Sequence, residues 1–198
     1  MAEPPDEFDM PVTFRTDPAL VDNGRSVQQL TAWRSAGDYL HTVGLYRQKT
    51  SASVHVEGEL LMFGAAALFR PTRASLDIST DHAIYVGAEF PPGSCQYEQA
   101  LEHERMHEQI HVEAIERLLP DIEREVRGQL RAAPVNPRIP LQRQLEAAAF
   151  AAGNAARQMI SDETSALHSA FDSPAEYERV EAACDGAMGR AFHSARSN

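Results

Sequence analysis

Five consecutive residues, His103-Glu104-Arg105-Met106-His107, carry the chemistry that the sequence names most directly. Residues four apart share one face of a helix, so both imidazoles can address one metal ion. Glu104 follows the first histidine, where a carboxylate can take a proton from water activated by that ion. The segment from about 94 to 126 suits this reading. It shows no strand-like alternation, is rich in Glu, Leu, Arg and Ala, and follows Pro91-Pro92-Gly93-Ser94, a stop with an N-cap candidate.

A hydrolytic zinc site needs three protein ligands and one open position. His111 continues the i, i+4, i+8 series, but it stands about 12 Å from His103 along the helix axis. One ion with bonds of about 2 Å does not hold both, so His111 is expected to extend the polar face or orient a neighbour. The better source is a second long helix whose far end holds Asp162, Glu163, His168 and Asp172. An antiparallel helix pair would bring part of that segment past His103 and His107.

The surrounding elements must deliver this arrangement. Val12 to Arg15 reads as a short strand, and a short helix is expected near Val27–Ser35. From Val43 to Phe90 the pattern turns to alternating runs, at Ser53–Glu57, Ala74–Ser79 and Ala83–Val86. The fold class expected is α+β: a small, mostly antiparallel sheet in the N-terminal half, then the motif helix and two more. The motif helix is expected from about Cys95 to Leu119, with Pro120 kinking it or opening a new helix. A Pro-rich link, 132–140, leads to a helix over Leu141 to Phe171, whose alanines permit close packing on the first. Ser173-Pro174-Ala175-Glu176 is a capping box opening a last helix, about Pro174–Ala195. Residues 1–10 read as a flexible acidic tail, and 11–198 as one domain.

The net charge of −11 argues against nucleic acid and anionic membrane surfaces as partners. No apolar run reaches about 18 residues, so no membrane insertion by a spanning helix is expected. The basic charge is arginine throughout except Lys49. Cys95 stands at the entrance of the motif helix and Cys184 in the last helix. A bridge between them would close a long loop, contributing about 3–5 kcal/mol, and would point to an oxidising compartment. The start Met1-Ala2-Glu3-Pro4-Pro5 lacks the pattern of a signal peptide. His41, His55, His82 and His193 stand alone and are read as ordinary structural or surface residues, and Trp33 as core.

The His103–His107 motif helix resembles that of the zincin metallopeptidases. More narrowly, the chain resembles a family of bacterial exported, zinc-protease-like domains of unassigned function. In that family a small sheet precedes the motif helix, and an Asp-x-Glu-Thr-x-His-like segment follows about sixty residues later. The counterpart here is Asp162-Glu163-Thr164 with His168, four residues after Thr164 rather than two. The resemblance spans roughly 43–185. It implies a zincin-like domain, a Zn2+ ion, Glu104 as general base, and an exported location as a mature form without its signal peptide; a cytoplasmic location is the alternative. The metal ligands expected are His103, His107 and His168, with Glu163 as the alternative third. The activity expected is hydrolysis of a peptide or protein substrate, with Tyr177 or Arg157 helping the oxyanion and strand Ala83–Val86 as the edge to which substrate adds. The other reading is a non-catalytic, metal-stabilised domain that binds a protein partner.

Overall fold

The computed structural model describes residues 8–33, 42–64, 66–131 and 133–194. Residues 1–7 of the expected tail, residues 34 and 35 of the expected short helix, His41, residue 195 and the His193 side chain lie outside the described residues. The elements are β1 (Val12–Thr16), β2 (Leu20–Arg25), α1 (Val27–Trp33), β3 (Gly44–Phe63), β4 (Ala66–Gly87), α2 (Cys95–Gln129), β5 (Ala133–Pro134), α3 (Leu141–Phe171), α4 (Pro174–Ala182) and α5 (Ala187–Ser194).

All five strands form one sheet organised on β4, with β1 and β2 on its flanks and β3 and β5 also paired to it. The expectation of a small, mostly antiparallel sheet is corrected on two counts. The three alternating runs belong to two strands of 20 and 22 residues. Strand direction differs as well: β2 runs parallel to β4, with Leu20 opposite Ala83 and Val21 opposite Ile84. The β1 side is parallel too, through the Asp9–Arg73 bridge and the amides of Ala74 and Leu76, which donate to the carbonyls of Asp9 and Pro11. Alternation reports that a segment is half-buried strand; it carries no information on the direction of its neighbour. β2 escaped the sequence reading because Asp22-Asn23-Gly24 has turn composition. In the fold Asn23 uses its amide instead, donating to the carbonyls of Val86, Gly87 and Phe90.

Along β4 every second residue faces inward: Ala74, Leu76, Ile78, Thr80, His82, Ile84 and Val86 are all buried. By its internal contacts the chain divides into two units. In the first (1–15, 50–80, 114–163), Ala74, Leu76 and Ile78 pack with Ile115, Ile122, Val126 and Leu130 of α2 and with Ala152, Ala156 and Ile160 of α3. Phe8 and Met10 join that core. The apolar stripe of α2 continues on both sides of Pro120, and the helix runs through it for 35 residues instead of ending at Leu119. The alanine-rich stretch of α3 lies close against β3: a Cβ on Gly153 would stand 2.9 Å from the Ala52 carbonyl.

The second unit (16–49, 81–113, 164–198) is built around Ile84, Val86, Val43, Ala100, Val180 and Met188. Ser94 caps α2, its hydroxyl accepting from the Tyr97 amide. The expected last helix is interrupted at 183–186, where Cys184, Asp185 and Gly186 all take positive φ, and this splits it into α4 and α5. Trp33 is not core: it is 41% exposed, with the Arg25 guanidinium 4.0 Å over its ring and Tyr85 at its edge.

Cys95 and Cys184 form a disulfide that closes an 89-residue separation. The C95S/C184S variant is expected to lose about 4 kcal/mol of stability, measured by denaturant unfolding under non-reducing conditions. A loss below about 1 kcal/mol would mean that the crosslink restrains little.

Candidate metal centre

The side chains that converge at this site belong to the second unit, whereas the candidates Glu163, Asp162 and Arg157 belong to the first. One face of α2 presents His103 and His107 one turn apart. Asp172 follows the last residue of α3, where the chain turns toward α4 and its amide donates to the His168 carbonyl at 2.9 Å. Its Oδ1 stands 3.4 Å from His103 Nε2 and 3.1 Å from His107 Nε2. These are the separations of neighbouring ligands on one ion, since tetrahedral bonds of about 2 Å place donor atoms about 3.3 Å apart. Asp172 Oδ1 is buried and has no hydrogen-bond partner. An oxygen facing two imidazole nitrogens, without hydrogen-bond geometry to either, is what a shared cation resolves. His103, His107 and Asp172 therefore form a group able to hold a metal ion. A set of two imidazoles and one carboxylate suits zinc and other first-row divalent ions.

The charges agree with this arrangement. Burial opposes ionisation of Asp172, yet the two imidazoles outweigh it and hold its carboxyl well below the ordinary range. Burial also works against protonation of His103, but Asp172, Glu104 and Glu176 overcome it and raise its pKa.

The outer nitrogens of both histidines are engaged. His103 Nδ1 is 3.0 Å from Glu176 Oε1, and Arg179 grips that carboxylate through Nε and Nη2 at 2.8 Å each. Such a carboxylate fixes the ring so that Nε2 faces the ion. The sequence reading gave Glu176 only a capping role. Ser173 does cap α4, accepting from the Glu176 amide, while the Glu176 side chain turns to His103. His107 Nδ1 meets His168 Nδ1 at 2.9 Å. His168 is thus placed behind His107, outside the group of three converging atoms. Burial and then the neighbouring His107 lower the His168 pKa to about 4, so it is a neutral ring there. Glu163 is placed elsewhere, in a surface pair with Arg117 at 2.7 Å in the first unit. Asp162 accepts from Gln158 on its own helix.

Glu104 is buried beside the two histidines, and burial raises its pKa despite the pull of His103, His107 and the Tyr46 amide. It lies against the start of β3, where the Tyr46 backbone amide donates to it. Gly44 leaves the space: a Cβ there would stand 2.6 Å from Glu104 Oε1 and 2.9 Å from Cγ. The group opens into a cavity of about 270 Å³ whose other walls include Thr42, Val43, Tyr46, Ala100, Tyr177 and Val180. Tyr177 is therefore at the site, whereas Arg157 lines a separate groove of the first unit. Ala83–Val86 is an interior stretch of strand, paired to β2 and with Ile84 and Val86 fully buried. The backbone that borders the cavity is Thr42–Tyr46.

Tyr46 and His82 were missed. The Tyr46 ring lies within about 6.3 Å of the rings of His82, His107, His111 and His168, and its hydroxyl meets His82 Nδ1 at 2.6 Å. The Thr16 hydroxyl takes the other His82 nitrogen at 2.7 Å. His111 is fully buried, and burial, then His82 and His168, bring its pKa down to about 4. A signal for His82 did exist: the alternation of β4 places it on the inward face with Ile78, Thr80 and Ile84.

Comparisons with protein-family models, with curated proteins and with solved structures return no match. What this site does therefore rests on its own geometry.

Proposed function

We propose that this protein is a zinc-dependent peptidase that uses Glu104 as its general base. The observation that carries the reading is the convergence of His103 Nε2, His107 Nε2 and the orphaned Asp172 Oδ1 beside the buried Glu104 carboxylate. His103, His107 and Asp172 would hold the ion. A divalent ion so held acidifies water and polarises a substrate carbonyl. Glu104 accepts the proton of the attacking water and returns it to the amine leaving group, a role suited to a carboxylate whose pKa burial has raised. Glu176 and His168 orient the two histidines. An extended peptide would lie along Thr42–Tyr46, with Tyr177 at the cavity wall. A metal site that served only stability has no need of a buried carboxylate in the Glu104 position, which weighs against a purely structural ion.

An exported location goes with this proposal. The Cys95–Cys184 disulfide is compatible with an oxidising compartment, and no described helix is long and apolar enough to cross a membrane.

The test is metal content by mass spectrometry for the wild type and His103→Ala, followed by hydrolysis of a peptide library. About one zinc per chain, lost in the variant, with cleavage that chelation abolishes, is the expected result. A folded wild type that takes up no divalent metal would end the proposal.

Gly44→Ala provides a separate check on the base. The added methyl overlaps Glu104 and forces the carboxylate to move, and displacement on the order of 1 Å can reduce turnover about 100-fold. Metal content should stay at the wild-type level. Unchanged hydrolysis would show that the seat of Glu104 on β3 is unimportant.

A further inference from the structure

The groove that holds Arg157 lies wholly within the first unit. One wall is the unbroken run 51–57 of β3. The other is a face of α3 that includes Gln142, Leu145, Glu146, Ala149, Phe150 and Arg157. Successive strand residues point to opposite faces, so a run of consecutive residues borders one groove only along the edge of the strand. β3 pairs with β4 and, among the described residues, with no other strand. Its second edge therefore presents main-chain donors and acceptors to the groove. The walls match in length, about 20 Å along β3 from 51 to 57 and about 22 Å along α3 from 142 to 157. The space between them is a trough, and Phe150 stands 68% exposed beside it.

We infer that this groove binds an extended peptide segment of a partner protein, which adds to β3 as an antiparallel strand. A strand edge is matched by another strand, whereas a helix has already used its main-chain groups and a lipid tail has none. Val54 and Val56 of β3 and Leu145, Ala149 and Phe150 of α3 give the trough apolar contacts, so every second side chain of the segment is apolar. The charges fix its direction. Gly153 stands against Ala52, which sets Arg157 toward the 51 end, while Val56 and Leu145 border one further cavity, which sets Glu146 with Glu57 at the other end. A segment antiparallel to β3 starts at Glu57 and Glu146 and finishes at Arg157, so a basic residue leads it and an acidic residue closes it. A second copy pairing through its own β3 fits poorly. Because α3 lies over β3, a two-fold pair with strands about 4.8 Å apart would crowd the two α3 helices inside the 8–10 Å that packed helices need. The occupant is a strand that carries no helix of its own on that face. The inference does not depend on the metal centre.

Fluorescence anisotropy with the end-capped, labelled peptide Lys-Val-Thr-Val-Thr-Val-Glu tests it. EDTA is present throughout, so that no metal-dependent cleavage consumes the probe, and thermal melts establish that each protein is folded. Wild type should bind the peptide saturably, and Phe150→Ser about tenfold more weakly. N-methylation of one alternate set of peptide residues should abolish binding, and methylation of the other set should leave it, because only one set turns its amides to β3. The charge-reversed peptide Glu-Val-Thr-Val-Thr-Val-Lys should bind wild type about fivefold more weakly, and E146K/R157E should reverse that preference. Failure of the folded wild type to bind the probe overturns the inference, as does equal binding of the two methylated forms or of the two charge patterns. A dimer that Phe150→Ser dissolves, with no peptide binding by wild type, would make the edge a contact between copies of the chain and overturn it too.

Discussion

Glu104→Gln is expected to lower peptide hydrolysis by about 10²–10⁴-fold while leaving the metal in place. The substitution keeps the shape and the hydrogen bond from the Tyr46 amide but removes the basic oxygen. Glu104 sits beside His103 and His107 without being one of the three converging ligand atoms, so metal content measured in parallel should not change. Loss of both metal and activity would turn Glu104 into a ligand or a packing residue. Retention of full activity would remove it from the chemistry, and the peptidase proposal would fall with it.

Asp172→Ala and His168→Ala should separate by the size of their effect on zinc affinity. Asp172 Oδ1 faces both Nε2 atoms, so its removal takes away a ligand. His168 reaches only the far nitrogen of His107, and outer partners of that kind typically contribute 10–100-fold in affinity. Competition with a chromogenic chelator should therefore show a loss above about 100-fold for Asp172→Ala and a smaller one for His168→Ala. Glu163→Gln, at the surface pair with Arg117, should change nothing. The reverse order, with His168→Ala the more damaging, would make His168 the third ligand and Asp172 its helper.

What the sequence disclosed about this site follows the range of the interactions. Two histidines four apart on a helix are a local pattern, and the structure brings them together as that pattern requires. The carboxylate that joins them lies 65 positions after His107, in a segment that also offers Asp162, Glu163 and His168, and the sequence reading favours His168 with Glu163 as the alternative. The turn after Phe171 brings Asp172 Oδ1 to the two histidines, while Glu163, inside α3, pairs with Arg117 at the surface. His82, Tyr46 and Glu176 were harder still, because each gains its partners from elements far away in the chain. The sheet shows the same limit. Inward and outward residues of β4 could be read from its period of two, whereas the parallel course of β1 and β2 depends on connections that carry no local mark.

The seat of Glu104 on β3 has a consequence for how the protein tolerates sequence drift. The amide that holds this carboxylate belongs to the main chain at position 46, so any residue except proline there can still supply it. At position 44 the reverse holds, because a single methyl group already collides with the carboxylate. In a saturation library scored for turnover, the side chain with the most chemistry near the base, Tyr46, would owe none of its intolerance to that hydrogen bond. The residue with no side chain would accept no replacement.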